Sequence, residues 1–530
     1  MFFSRFTVLG LCLAGLLFAL TRLSDAWALP ALTIFSCLCL LGVIDLIQTR
    51  HAVRRNYPII GRLRWAFEKI RPEIRQYLIE GDDDQTPFSR AQRSLVYARA
   101  KDEVSDRPFG TLSDVYKNGY EFISHSTKPK PLSDPDSFRV PIGGSDARDP
   151  YMASIFNISA MSFGSLSANA IRALNKGAKL GDFAHDTGEG GISPYHRENG
   201  GDLIWEIGSG YFGCRTEKGR FDPVRFADNA ADPQVKMIEL KLSQGAKPGH
   251  GGILPGEKVS PEIAATRGIP VGVDCISPAE HSAFSTPLEM MQFLAQLRTL
   301  SKGKPVGFKL CVGHPWEFMG MVKAMRETGI VLDYLVVDGA EGGTGAAPVE
   351  FSNRVGMPLR EGLILVRNAL VGTNLKPQVK LAASGKVYSG AGIAINLGLG
   401  ADWCNAARGF MFALGCVQSL KCHTDHCPTG IATQDSTRQR GLVVTDKSER
   451  VARFQRSTLE SFREMVIAMG LENPWQIEPR HISERLDSAR ADSVDRIQTF
   501  LAPGQLLDDA GSTPYQRYWD AARIDSFEEA

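Results

Sequence analysis

Hydrophobic and polar positions fall into three textures along this chain. Residues 6–20, "FTVLGLCLAGLLFAL", and 26–44, "AWALPALTIFSCLCLLGVI", are apolar and carry no charge. A membrane-spanning helix needs roughly 20 apolar residues, with a range of about 17–25. The second stretch meets that length, and the first does once Phe2, Phe3 and its flanks are counted. The link "TRLSDA" is short enough for a transmembrane helical hairpin over residues 1–50. Arg5 precedes the pair, and Arg50, His51, Arg54, Arg55, Arg62 and Arg64 follow it. The positive-inside rule then predicts an inner-membrane anchor with the rest of the chain facing the cytoplasm. A signal peptide cut at "AWA" (26–28) is the competing reading; one arginine ahead of the first stretch and a second apolar stretch directly after it favour the anchor.

Residues 51–140 are charged and broken by proline, with a helical pattern in "LRWAFEKIRPEIRQYLIE" and a turn-rich "STKPKPLSDPDS". They read as a connector with partial helical structure. Residues 141–435 read as a separate domain in which short apolar runs alternate with amphipathic helical patterns. "PVGFKLCV" (305–312), "DYLVVD" (333–338), "PQVKLAAS" (377–384) and "ADWCNA" (401–406) each precede a helical stretch. Four consecutive β–α units predict an α/β fold on a parallel sheet, open or closed, with functional loops at the strand C-termini. Residues 436–530 read as a charged, mostly helical extension.

Charge adds little: Lys+Arg is 60 against Asp+Glu 59. That balance offers no electrostatic case for nucleic acid. Many of the 52 glycines sit in clustered loops, which suits backbone that must approach a ligand closely. The lone G-x-G-x-x-G, "GSGYFG" (208–213), has no apolar strand before it and no helix after it, so it reads as a turn. Of ten cysteines, Cys416, Cys422 and Cys427 crowd into "GCVQSLKCHTDHCPTG" (415–430) with His423 and His426. The other seven are scattered and show no disulfide framework, which suits a reducing compartment. Cys214, Cys275, Cys311 and Cys404 read as buried small hydrophobes. Spacing alone leaves a Cys3His zinc site and a three-cysteine cluster both open.

One run of motifs reaches further: "NISAMSFGSLS" (157–167), "DTGEGG" (186–191), "KLSQGAKPGHGGILPGEKVSPEIAATR" (241–267), "GFKL" (307–310), "EGGTGAAP" (341–348) and "CHTDHCPTGIATQ" (422–434). In that order, residues 152–434 resemble the FMN-binding synthase domain of glutamate synthase, and most closely its stand-alone members without a glutaminase domain. The resemblance implies a (β/α)8 TIM barrel carrying FMN, with a [3Fe-4S] cluster held by Cys416, Cys422 and Cys427. Glycine loops then suit the flat flavin ring, with Ala160, Met161, Ser162, Gly342 and Gly343 as contacts. The FMN phosphate is expected after strands seven and eight, on Ser384, Gly385 and Lys386 and on Ala407, Arg408 and Gly409. Lys309, charged inside an apolar strand, is costly to bury unpaired. It reads either as a strand-end lysine reaching solvent or as the cation at the flavin N1–C2=O edge.

The resemblance further implies 2-oxoglutarate as substrate, with Lys247, Gln244, Arg267 and Glu189 on the substrate side. Arginine can take a carboxylate bidentately, lysine can polarise a keto oxygen, and Glu189 can position ammonia or shuttle protons. Two departures stand out. His250 and Ile253 occupy positions where glutamate synthase has Glu and Gln, and Phe2 stands where a glutaminase would have its cysteine. The nitrogen donor expected is therefore ammonia or an amine. The electron donor is expected to be external, a ferredoxin-like protein, a partner subunit or a membrane carrier. An N-methylglutamate synthase-like enzyme, another FMN barrel oxidoreductase, and a membrane-anchored zinc scaffold without activity are the alternatives.

Overall fold

The computed structural model describes residues 6–84, 87–104, 106, 108–133, 138–143 and 149–530. Phe2, Phe3, Arg5 and the end of the turn-rich stretch at 134–137 lie outside them. The chain divides into two compact units, Met1–Thr86 and Pro87–Ala530.

In the first unit, helices α1 (Thr7–Leu20) and α2 (Ala28–Ile47) pack side by side. Phe18 and Trp27 stack across the link, ring centroids 5.9 Å apart. The helix pair expected from the two apolar stretches is therefore present. Among the described residues, α2 alone is long and apolar enough, by length and composition, to cross a membrane. At 14 residues, α1 falls short of the roughly 17 that a span requires.

The second unit is built on eight parallel strands: β1 (Phe156–Ile158), β2 (His185–Asp186), β3 (Leu203–Ile207), β4 (Val235–Lys241), β5 (Val306–Leu310), β6 (Tyr334–Asp338), β7 (Lys380–Ser384) and β8 (Trp403–Ala406). They pair in chain order and close, β8 onto β1, into a barrel. The open-or-closed question is answered by closure. Every residue of β3, β5, β6 and β8 is buried. That is the mark of a parallel sheet covered by helices outside and filled by side chains inside. The "GSGYFG" segment is a turn, with Tyr211 and Gly213 at positive φ, but against the sequence reading a buried strand, β3, runs directly into it; the glutamate in "LIWEI" hid that strand.

Four helices fasten the outside. Helix α3 (Arg90–Lys101) opens with a capping box from Ser89 and Gln92. Helix α4 (Ala168–Gly181) follows β1, is capped by Ser167 accepting from the Ala170 N–H, and buries Ile171, Leu174 and Ala178 at helical spacing. Helix α5 (Arg408–Leu414) follows β8, and the long α6 (Val444–Ala468) lies across α3, α4 and α5. Phe410 on α5 joins them, its ring 5.3 Å from Phe156 and 5.1 Å from Phe454. So α3, expected within a connector, packs as part of the barrel unit. The C-terminal extension, expected to be charged and mostly helical, carries α6 and beyond it two short strands. Ile482–Arg485 pairs antiparallel with both Glu121–Ile123 and Ala491–Ser493 in a small separate sheet.

Candidate functional site

Register sets the inside of the barrel. Glu206 on β3 lies beside Glu239 on β4, which lies beside Gly307 on β5. Two residues further on, and so nearer the mouth, Lys241 lies beside Lys309. Paired residues of neighbouring strands share a face, and alternate residues along a strand share it too. The Lys309 ammonium donates to Glu206 Oε2 in a short contact, lies 3.1 Å from Glu239 Oε1 and 4.0 Å from Asp186 Oδ2. It is 3% exposed, so the strand-end lysine reaching solvent is excluded. Burial works against its charge, but Glu206, Glu239 and Asp186 hold the ammonium well above the usual lysine range.

Above this layer the mouth carries a second cluster. Glu189, Lys241, Gln244, Lys247, His250 and Ser277 line one small cavity of about 20 Å³. Glu189 Oε2 is 3.2 Å from the Lys241 ammonium, which donates to Gln244 Oε1 at 2.6 Å. Burial would raise Glu189, yet Lys241, Arg267 and Lys247 together hold it below the ordinary carboxylate value. Burial lowers Lys247, with Glu189 opposing. Three of the four expected substrate-side residues thus converge. Arg267 does not line the cavity. Its Nη2 donates to the Phe163 carbonyl at 3.1 Å and to Ser162 Oγ at 3.3 Å, bracing the loop after β1. His250 lines the cavity, whereas Ile253 is exposed.

Lys241 was not among the expected residues, nor were Glu206, Glu239 and Asp186. A usable signal existed, because a charge inside an apolar strand singled out Lys309, and "LIWEI" and "VKMIELK" carry the same mark.

The expected flavin loops meet at the same rim. Ser384 Oγ at the end of β7 lies 3.4 Å from Ser159 Oγ at the end of β1. Ala160, Met161 and Ser162 follow, closed from one side by Gly188, whose φ is +66° and where a Cβ would sit 2.7 Å from the Ser162 nitrogen. Gly342 and Gly343 lie in the loop after β6, and a Cβ on Gly343 would sit 2.8 Å from Arg408 Nε. Gly385, Lys386, Ala407, Arg408 and Gly409 form the β7 and β8 ends. The Arg408 guanidinium donates to the Glu341 carbonyl at 2.6 Å. Among the described residues neither Arg408 nor Lys386 makes an ion pair. Burial and its neighbour Arg408 lower Lys386, and burial lowers Arg408 to about 10. Two unpaired cations forced together, beside a glycine cradle, fit a bound phosphate and an adjoining flat ring.

The cysteine segment leaves α5 at Gly415 and is tied to this rim. Gln434 Nε2 donates to the carbonyls of Gly164 and Leu166, and the buried Lys258 ammonium reaches the carbonyls of Ser165 and Cys422 at 3.5 and 3.4 Å. The Tyr97 hydroxyl donates to the Cys416 carbonyl. Burial raises the Cys416 thiol to about 12, with Cys422 and Cys427 adding to it. His423 and His426 are exposed. A single zinc ion held by bonds of roughly 2.0–2.3 Å would draw its ligand atoms within about 4 Å of one another. Among the described residues, the set of three such ligands within 4.8 Å of one another is Asp186, Glu206 and Glu239, not the thiols. Three cysteines in one segment supply thiolates of the kind that hold either an iron–sulfur cluster or zinc.

Residues 122–472 match a family model described as a conserved region in glutamate synthase. The chain is 36% identical over 491 residues to the glutamate synthase large subunit-like protein YerD of Bacillus subtilis (strain 168), covering 85% of this chain and 93% of that one. It is 33% identical over 315 residues to the archaeal-type glutamate synthase (NADPH) of Thermotoga neapolitana, and there it spans only 58% of the relative's length. Among solved structures, a flavocytochrome b2 variant with sulfite bound aligns over 85% of this chain and 91% of that one, with a TM-score of 0.40 at 12% identity.

Proposed function

The chain belongs to the glutamate synthase family, and from that premise we propose that it is an FMN- and [3Fe-4S]-containing oxidoreductase that reductively aminates 2-oxoglutarate to glutamate through 2-iminoglutarate. The observation that carries this reading is the meeting of Glu189, Lys241, Gln244 and Lys247 in one cavity at the barrel mouth. There, cations outnumber carboxylates. A dicarboxylate supplies the missing negative charge.

Lys386, Arg408 and the backbone of Ser384, Gly385, Ala407 and Gly409 would hold the FMN phosphate, and Ala160–Ser162 with Gly342 and Gly343 would flank the ring. When bound, FMN supplies hydride chemistry. Lys241 and Lys247 take the substrate carboxylate and polarise its keto oxygen. Glu189, kept ionised by those cations, accepts the proton that the nitrogen donor sheds as the imine forms. The Gln244 amide orients the acid, and Arg267 keeps the Ser162 loop in place. Cys416, Cys422 and Cys427 would ligate the cluster, which supplies one-electron transfer from a ferredoxin-like protein or partner subunit.

The nitrogen donor is ammonia or an amine. Helix α2 anchors the chain in the cytoplasmic membrane with the barrel on the cytoplasmic side. Recovery of the protein in the membrane fraction with residue 1 retained supports the anchor, and a mature N-terminus after 28 overturns it.

As purified, the protein is expected to be yellow-brown, with iron and sulfide that Cys422→Ser loses. With dithionite or reduced ferredoxin it should convert 2-oxoglutarate and ammonia to glutamate; methylamine in place of ammonia reads out the amine-using alternative. A flavin-loaded protein inert to both overturns the reading. A colourless, zinc-bearing protein overturns it in favour of a scaffold.

A further inference from the structure

The inner cluster holds more acid than its single cation can balance. Asp186, Glu206 and Glu239 come from three adjacent strands, are each at most 2% exposed, and bring carboxylate oxygens within 4.8 Å of one another. Lys309 is the ammonium among them. From β6, Asp338 adds a further negative charge felt by Lys309, and the Tyr334 hydroxyl donates elsewhere, to the Ile238 carbonyl. Lys241 on β4 is engaged with Glu189 and Gln244 above.

Hydrogen bonding sharpens the imbalance. Asp186 Oδ1 accepts from the Gly188 N–H at 3.0 Å, while its Oδ2 and Glu239 Oε2 are sealed from solvent with no hydrogen-bond partner, and Glu239 Oε1 faces the Lys309 ammonium at 3.1 Å. Buried acceptors are rarely left so, and two carboxylates facing each other in a dry interior cannot both stay ionised.

We propose that Asp186 and Glu239 share a proton, carried on Asp186 and accepted by Glu239, and that this pair takes up a second proton when negative charge arrives at the barrel mouth above Lys309. Lys309 is thereby a cation whose surroundings adjust to the redox site, and Asp186 and Glu239 are positioning residues acting through it. The shared proton follows from the cluster alone; the response rests on the flavin reading given above. Burial with the neighbouring carboxylates holds Asp186 well above the usual range, and burial puts Glu239 at about 7 with Lys309 and Glu206 acting in opposite senses. The second site is thus poised near neutrality. The step balances as follows: dithionite and two waters give two bisulfite ions, two protons and two electrons, the electrons go to the redox group, and one solvent proton forms an O–H bond on Glu239. The protons released by dithionite are the same for wild type and variant and cancel in their difference.

Two measurements on the full-length protein test the proposal. Infrared spectra at neutral pH should show a protonated-carboxyl C=O band that shifts in D2O, disappears in Asp186→Asn and moves in Glu239→Gln, whose amide changes the proton's acceptor. Absence of that band in the wild type, or its persistence unmoved in Glu239→Gln, overturns the shared proton, and the Glu239→Gln arm stands even where Asp186→Asn does not fold. In weakly buffered dye solution near pH 7, where a group at about 7 is already half protonated, reduction by dithionite should leave about half a proton fewer per flavin in solution with the wild type than with Glu239→Gln. Equal counts overturn the response. A protein with no flavin absorbance overturns the flavin reading and the response with it, while the infrared band still reports the shared proton.

Discussion

The two charged clusters of the barrel differ in which charge they have to spare. At the mouth, Glu189 faces Lys241 and Lys247 with Arg267 behind it, and the surplus is positive. One layer down, Asp186, Glu206 and Glu239 surround Lys309, and the surplus is negative. Each surplus states what is missing. The outer cluster lacks an anion, and a substrate can bring one in. The inner cluster is closed to substrate, and the proton proposed above for Asp186 and Glu239 is what balances it.

Removing the one inner cation breaks this comparison most severely. Lys309→Met leaves three buried carboxyls without it, and truncating one side of a buried ion pair costs about 3–5 kcal/mol. Urea denaturation at pH 7 should show that loss, and at pH 5, where Glu239 is protonated, a smaller one. Equal losses at both pH values would assign the cost to packing alone. Glu239→Gln comes next. A carboxyl whose folded pKa lies above its unfolded value contributes fully below the unfolded value, and that contribution is lost as pH rises through the folded one. With Glu239 moved from 4.5 to about 7, wild-type stability should fall across that window. At 1.36 kcal/mol per pKa unit, Glu239→Gln should remove a dependence of up to about 3 kcal/mol.

At the outer cluster, Glu189→Gln should lower turnover of 2-oxoglutarate by about 10²-fold, the usual contribution of a positioned acid–base group. Burial already lowers Lys247 and Glu189 opposes that, so losing Glu189 lets Lys247 lose its proton at lower pH. The alkaline limb of the kcat/KM profile should move toward acid. A rate loss with an unmoved limb would leave Glu189 its proton-transfer part but remove its hold on Lys247.

These clusters also mark where the sequence was legible. Strands β5 to β8 are short apolar runs between turns and stand out. Strand β2 is two residues, His185 and Asp186, inside a polar glycine-rich stretch, and no hydropathy pattern can find it. Strands β3 and β4 carry inward glutamates that interrupt the apolar run, which is why Glu206 and Glu239 went unread beside Lys309. The glycine loops and the crowded cysteines stood out as motifs, although spacing alone left zinc and a cluster both open for the cysteines. By contrast, the pairing of Phe122 with Ser483 joins distant segments and leaves no local trace. Arg267 was expected at the substrate, but its role follows from which way its guanidinium turns, and that is set by tertiary packing against Phe163.

The smallest effect tests whether burial or pairing sets these costs. Arg172 and Glu198 form a two-bond ion pair at 2.7 and 3.1 Å, better made than any contact of Lys309 to Asp186. Their side chains are 31% and 42% exposed, so water solvates each charge when its partner is lost. Glu198→Gln should therefore cost about 0.2–1 kcal/mol in urea denaturation, and less at high salt. Arg172 keeps its place over the Tyr195 ring, 4.3 Å from the centroid, which limits the loss further. If Glu198→Gln cost as much as Lys309→Met, partner geometry rather than solvent exclusion would govern both sites, and the argument from surplus buried charge would fail at the inner cluster too.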